Sequence, residues 1–166
     1  MFFSKKKKTI VLYYSQSMGN TKRIAERIAN IKSYDIEAIE TEKKYTGSYD
    51  DIMAQGKEEV ESGFRPKIKP LAHDLSDYDR IIIGSPTWWY TIAPAVSSFL
   101  EENNLSSKTV TPFITYGGYE GHSLSDLQDG CKTSKIINPK SIQFEYENLN
   151  QMVISEKELD SWIHSL

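Results

Sequence analysis

The stretch Thr9-Ile-Val-Leu-Tyr-Tyr-Ser-Gln-Ser-Met-Gly-Asn-Thr-Lys-Arg-Ile-Ala-Glu-Arg-Ile-Ala-Asn-Ile31 decides the fold class. Its five consecutive apolar residues, 10–14, predict a strand covered on both faces, since a half-exposed strand would alternate with polar residues. A polar turn follows, and then Ile24, Ala25, Ile28 and Ile31 recur at the spacing of one helical face. The same succession continues along the chain, with strands predicted at residues 9–14, 35–40, 80–84, 109–116 and 141–147. Pro94 opens a helix carrying Val96, Phe99 and Leu100, and Ser123 with Asp126 caps another. Ser155 and Glu158 form a capping box ahead of Leu159, Trp162, Ile163 and Leu166. Ser48 with Asp51 can cap a helix over Ile52, Gly56 and Val60, weakened by the internal glycine. Alternation of this kind belongs to the α/β class.

The strands differ in character. The first, third and fourth are continuously apolar, whereas the second and fifth alternate, as Ile142, Phe144 and Tyr146 do with Gln143, Glu145 and Glu147. Edge strands tolerate alternation, so a doubly wound five-stranded parallel sheet in the order 2-1-3-4-5 is expected. Pro112, lacking an N–H, is expected at the start of the fourth strand. Such a sheet binds ligands beyond the carboxyl ends of its strands, where the order reverses between the first and third. Informative residues should therefore follow Tyr14, Gly84 and Tyr116.

A chain of 166 residues has room for one domain, expected over residues 9–166 behind a basic lead-in at 1–8. The run Lys5 to Lys8 reads as a solvated terminus, the apolar run after it is too short for a signal peptide, and membrane insertion is not expected. Residues 1–32 hold eight basic side chains against Glu26 alone, while residues 33–166 hold twelve against twenty-two acidic. That acidic body argues against nucleic acid as a partner. Cys131 stands alone, so no internal disulfide or cysteine-held metal is expected, and a cytoplasmic location fits. Its setting near Leu124 and Leu127 predicts a packed side chain. His73 and His164 have no ligand-like spacing.

Three loops fall at the expected rim. Residues 15–21 gather hydroxyls, a glycine and an asparagine directly before a helix, where backbone amides and the helix dipole favour an anion such as phosphate. An ordinary N-cap loop has the same composition. The loop lacks the Gly-Lys-Ser/Thr ending of a triphosphate site and the Gly-x-Gly-x-x-Gly of a dinucleotide site. Ser85-Pro-Thr-Trp-Trp-Tyr-Thr-Ile-Ala-Pro94 places three large aromatic rings in succession. One tryptophan can pack beneath the next helix, but three rings together call for something flat to stack upon. Thr115-Tyr-Gly-Gly-Tyr-Glu-Gly-His122 allows close backbone approach at Gly117, Gly118 and Gly121. The conjunction describes a site for a phosphorylated planar heterocycle. A phosphoreceiver shares the strand order but needs carboxylates where Ser15 and Ser85 stand.

These residues resemble the flavodoxins, most closely the group whose middle loop has a Pro-x-Trp-Trp core, here Pro86-Thr-Trp-Trp89. The resemblance runs from about Thr9 to Ile163 and takes in residues 49–66, residues 74–79 and the Thr115-Tyr-Gly-Gly118 turn. It implies a flavodoxin-like fold and non-covalent FMN. The phosphate is implied on the loop of Ser15, Ser17, Met18, Gly19, Asn20 and Thr21. The ring is implied between Pro86, Thr87, Trp88, Trp89 and Tyr90 on one side and Tyr116, Gly117, Gly118, Tyr119 and Gly121 on the other. Two departures stand out. Met18 lengthens the phosphate loop by one residue, which leaves open whether Ser15 or Ser17 reaches the phosphate. Tyr90 stands where close relatives often carry glycine; a turn needing positive φ is costlier there, so a less stable one-electron-reduced flavin is expected.

The resemblance implies a low-potential one-electron carrier between redox partner proteins, or, as an alternative, an FMN-dependent NAD(P)H quinone or nitro reductase. Neutral phosphate donors, an aromatic sandwich and an acidic body all oppose added negative charge on the ring; if they sum to about 3 kcal/mol, the one-electron potential falls by roughly 130 mV. An acidic surface steers such a carrier to basic docking faces in transient complexes. No nicotinamide-binding motif is identifiable, which favours the carrier, while Trp88, Trp89, Tyr119 and His122 could line a substrate pocket in the reductase.

Overall fold

The computed structural model describes residues 7–16 and 19–166; most of the basic lead-in, with Ser17 and Met18 of the first loop, lies outside the described residues. In chain order the elements are β1 (Thr9–Tyr13), α1 (Asn20–Lys32), β2 (Asp35–Ala38), α2 (Tyr49–Ser62), β3 (Arg80–Trp88), β4 (Thr91–Ile92), α3 (Pro94–Glu102), β5 (Thr109–Tyr116), α4 (Ser123–Gly130), β6 (Lys135–Ile136), β7 (Lys140–Gln143) and α5 (Glu156–His164). The parallel strands lie in the order β2-β1-β3-β5, and β6 and β7 share the far edge beside β5. Counted as one interrupted strand, that pair completes the 2-1-3-4-5 order expected from the sequence. No helix among the described residues is long and apolar enough to cross a membrane.

Successive residues of a strand point to opposite faces, and the central strands bury both. Val11, Tyr13 and Ile82 pack with Ile24 and Ile28 of α1 and Leu159 and Ile163 of α5. Ile10, Leu12, Ile81 and Ile83 pack on the other face with Val96 and Phe99 of α3, Leu127 of α4 and Cys131 just after it. Each fully buried aliphatic or phenyl side chain contributes about 1.5–3 kcal/mol, so covering both faces is what makes the uninterrupted apolar runs favourable.

Pro112 is in the middle of β5, opposite Ile83, and not at its start. The pairing explains why this is tolerated. Val110 accepts from the Ile137 N–H on the outer side of β5, and Pro112, two residues on, faces the same way. There the outer strand is broken between Ile136 and Lys140, so no ladder partner waits for the missing N–H. The fifth strand accordingly begins earlier than expected, as two short pieces. Ile142 and Phe144 are buried as its alternation predicts, but Tyr146 lies beyond it, 80% exposed.

Two helix and strand ends differ from expectation, and the Ser48 cap holds. Ser123 begins α4 and does not cap it; its hydroxyl accepts from Thr87 Oγ1 (2.8 Å) and donates to the Glu120 carbonyl (2.9 Å). The weak helix is in fact a full α2, with a reciprocal capping box between Ser48 and Asp51. β3 runs four residues past Gly84, so the first half of the aromatic loop is strand.

Candidate cofactor site

The extension of β3 turns back on itself. Thr87 pairs with Ile92 and Trp88 with Thr91, leaving Trp89 and Tyr90 as a two-residue hairpin turn. Both are left-handed, with φ of 47° and 67°. Two-residue hairpins favour Asn-Gly here, and bulky side chains at positive φ are strained. The turn is clamped from below. Ser85 Oγ accepts from the Ala93 N–H (3.0 Å) and donates to the Pro86 carbonyl (2.8 Å). The His122 N–H donates to the Tyr90 carbonyl (2.9 Å), and the Thr91 hydroxyl and His122 Nδ1 both engage Asp126 Oδ2. A Cβ on Gly121 would fall 2.3 Å from the Tyr90 carbonyl oxygen, so that position is glycine because the hairpin lies on it.

The two tryptophans part at this turn. Trp88 goes inward, edge-on to Tyr14 (5.7 Å between ring centroids) and Tyr45 (5.0 Å), under α2 at Gly56. Burial, and then the nearby Glu59 carboxylate, pushes both tyrosine hydroxyls well above their ordinary range; Tyr45 donates to Glu59 Oε2 at 2.6 Å. Trp89 stays at the surface, 39% exposed, with Lys57 Nζ 4.5 Å from its ring centroid.

Between these walls lies a cavity of about 190 Å³. The hairpin contributes Pro86, Thr87, Trp88 and Trp89; the end of β5 contributes Thr115, Tyr116 and Gly117; Leu149 closes one side. Burial raises the Tyr116 hydroxyl pKa, with Glu120 adding to the shift. α2 contributes Tyr49, Ile52, Met53, Gly56 and Lys57, and the start of α1 contributes Gln16, Asn20 and Thr21.

The α1 start differs from those of α2 and α5. Ser48 and Ser155 cap those two with their own hydroxyls. α1 is entered through Gly19, left-handed with φ 72°, with no side-chain cap at that position and no acidic residue in the first turn of the helix. Thr21 Oγ1 is 2.8 Å from Thr115 Oγ1, and Asn20 Nδ2 donates to the Leu149 carbonyl at 2.8 Å, which ties the helix start to the cavity wall. Ser15 Oγ accepts from the Lys22 N–H at 3.3 Å. The amides of Asn20 and Thr21, neutral hydroxyls and the positive end of a dipole are a donor set suited to a phosphate dianion, and the adjoining aromatic cavity suits a planar ring.

Of the residues singled out in the sequence, the structure gathers Asn20, Thr21, Pro86, Thr87, Trp88, Trp89, Tyr116 and Gly117 on this cavity. Ser15 and Gly19 shape the loop beside it, Gly121 seats the hairpin, and Tyr90 and Tyr119 are exposed outside it, 6.3 Å apart. Gly118 lies against Tyr146. His122 also stands outside the lining, engaged with Asp126. The α2 wall was not singled out. Its signal was present: Tyr49, Met53 and Lys57 are four residues apart, one stripe of a helix, and Gly56 marks a close approach.

The family model described as Flavodoxin matches residues 8–166. A solved structure from Bacteroides uniformis, described as a flavoprotein, is 27% identical, covering 96% of this chain and 99% of that one, with a TM-score of 0.78. A flavoprotein from Lactobacillus acidophilus, solved in complex with FMN, is 24% identical over 94% of this chain and 98% of its own, with a TM-score of 0.70, and shares the fold. Among curated proteins, NAD(P)H dehydrogenase (quinone) 3 of Rhizobium meliloti (strain 1021) is 30% identical over 130 residues, which is 72% of this chain and 58% of the length of that relative.

Proposed function

This chain belongs to the flavodoxin family, and from that premise we propose that it binds FMN in the cavity between the Trp89 hairpin, α2 and β5 and passes electrons singly, at low potential, to protein partners. One observation carries the reading: an uncapped helix start with only neutral donors opens onto an aromatic-walled cavity at the carboxyl ends of the central strands. FMN supplies the redox chemistry, and the chain binds and orients it. The amides of Asn20 and Thr21 and the Thr21 hydroxyl hold the phosphate, while the Gly19 N–H is engaged with the Gln16 carbonyl. Trp89 and Tyr116 face the ring, and α2 with Leu149 excludes water from it. The acidic body favours partners with basic docking faces, bound transiently. A single domain over residues 9–166 suffices for this role, and a reducing, cytoplasmic compartment suits the buried Cys131 thiol.

A second reading, an FMN-dependent NAD(P)H quinone or nitro reductase, is supported by the exposed apolar mouth that Tyr49 and Met53 give the cavity and by the name of the curated relative. One experiment serves both. Titration of the flavin-free protein with FMN is expected to quench its fluorescence and raise the melting temperature, with about 4 kcal/mol of added stability at a thousandfold excess over Kd, and riboflavin is expected to bind more weakly. The holoprotein is then mixed with NAD(P)H, with and without quinone. Slow oxidation in both cases supports the carrier, whereas fast quinone-dependent turnover supports the reductase. Unquenched fluorescence and an unmoved melting temperature would overturn both.

A further inference from the structure

Among the described residues that line the cavity, Lys57 alone is charged. It sits on the third turn of α2 with its ammonium held over the Trp89 ring, 4.5 Å from the centroid. Its ion-pair partner, Glu61 one turn on, is at 4.0 Å with a 59%-exposed side chain, too loose and too wet to neutralise it. The Lys57 side chain is itself 46% exposed at the rim, so its charge is partly screened from outside, but on the cavity side it faces only apolar and neutral polar groups and acts on whatever charge appears there.

We propose that Lys57 strengthens the hold on the reduced cofactor relative to the oxidised one, offsetting part of the pull of the acidic body towards low potential. The inference rests on FMN occupying the cavity. Reduction by two electrons with uptake of one proton adds one negative charge to the ring, while the charge on the phosphate stays the same. The neutral donors at the start of α1 therefore hold both redox forms alike. Lys57 gains an attraction on reduction that no other lining residue can supply. The cation–π contact with Trp89 keeps the ammonium at the wall, so the charge is in place before the electrons arrive.

The test compares the native chain with Lys57→Gln and Lys57→Arg. Fluorescence titration gives the Kd for oxidised FMN and for riboflavin, and an anaerobic dithionite titration against a reference dye gives the two-electron midpoint. Lys57→Gln is expected to leave the affinity for oxidised FMN within about twofold and to weaken the reduced form about tenfold more, a fall of about 30 mV in the midpoint. Lys57→Arg restores it. A midpoint that does not move overturns the inference. So does an equal loss of affinity in both redox forms together with a lost preference for FMN over riboflavin, which would make Lys57 a phosphate ligand. If the native chain binds no FMN, the cofactor reading itself fails, and that result is separate from a holoprotein that forms but keeps its potential.

Discussion

Trp89 and Tyr90 hold a turn that suits smaller residues. Each left-handed non-glycine residue costs about 1–3 kcal/mol, and two adjacent ones are sustained here only because Ser85, Gly121, His122 and Asp126 fix the backbone beneath them. Both rings are well exposed, so burial returns little of that strain. The double variant Trp89→Asn, Tyr90→Gly is therefore expected to raise the unfolding free energy by about 1–2 kcal/mol in urea titrations. It should at the same time weaken FMN binding by up to about tenfold, since an aromatic pair contributes about 0.5–1.5 kcal/mol. Higher stability with lower affinity would mark the turn as one where function is kept at the expense of stability. A variant no more stable than the native chain would mean that the contacts of Lys57 with Trp89 and of Tyr119 with Tyr90 offset the strain.

α2 shows how a feature that weakens an isolated helix can serve the packed one. In an exposed helix Gly→Ala gains about 1 kcal/mol. At Gly56 the added methyl would stand 3.0 Å from Trp88 Cε3, and Trp88 is fenced on other sides by Tyr14 and Tyr45. Gly56→Ala should therefore lose about 1 kcal/mol net, overpacking outweighing propensity, with a shift in tryptophan emission; a rise in melting temperature would show that Trp88 can give way. The same contrast separates what the sequence made legible from what it did not. The runs 10–14, 81–83 and 112–115 are continuous because helices cover both faces, and that cause is written locally, so strand order and ligand edge could be read from them. The role of Gly56 depends on a ring 32 residues away, the tolerance of Pro112 on a break in another strand, and the hairpin on a turn whose residues contradict its preferred chemistry. The phosphate-type and aromatic loops were legible by composition, whereas the α2 stripe of Tyr49, Met53 and Lys57, though present in the sequence, reads the same whether it faces a cavity or the edge of a core.

For the whole molecule, the ionisable groups that folding perturbs set the pH range in which the architecture holds. At the acid end, Glu37 is pulled two ways: partial burial raises its pKa, but hydrogen bonds from the His73 side chain and from the His73 and Ala72 amides lower it further. Asp51 at the α2 cap, Asp74 beside Ser76, and Asp160 on Arg27 are likewise held below their ordinary value of 3.8. A carboxylate depressed in the folded state contributes stability above its unfolded pKa and loses it as pH falls through the folded one. At the alkaline end the shifts are upward. Burial first, and then the hydrogen bond to Asp35, pushes Tyr78 up to about 12, and burial pushes the Cys131 thiol up to about 11. Stability from such groups is complete below the unfolded pKa and disappears as pH rises towards the folded value. The urea midpoint is thus expected to be flat from about pH 5 to about pH 9 and to fall on either side. Glu37→Gln should lower the plateau and flatten the acid limb, because the neutral amide no longer gains from deprotonation. An acid limb as steep in that variant as in the native chain would place the acid-sensitive element elsewhere than at the contact between the β2 edge and the 72–73 turn.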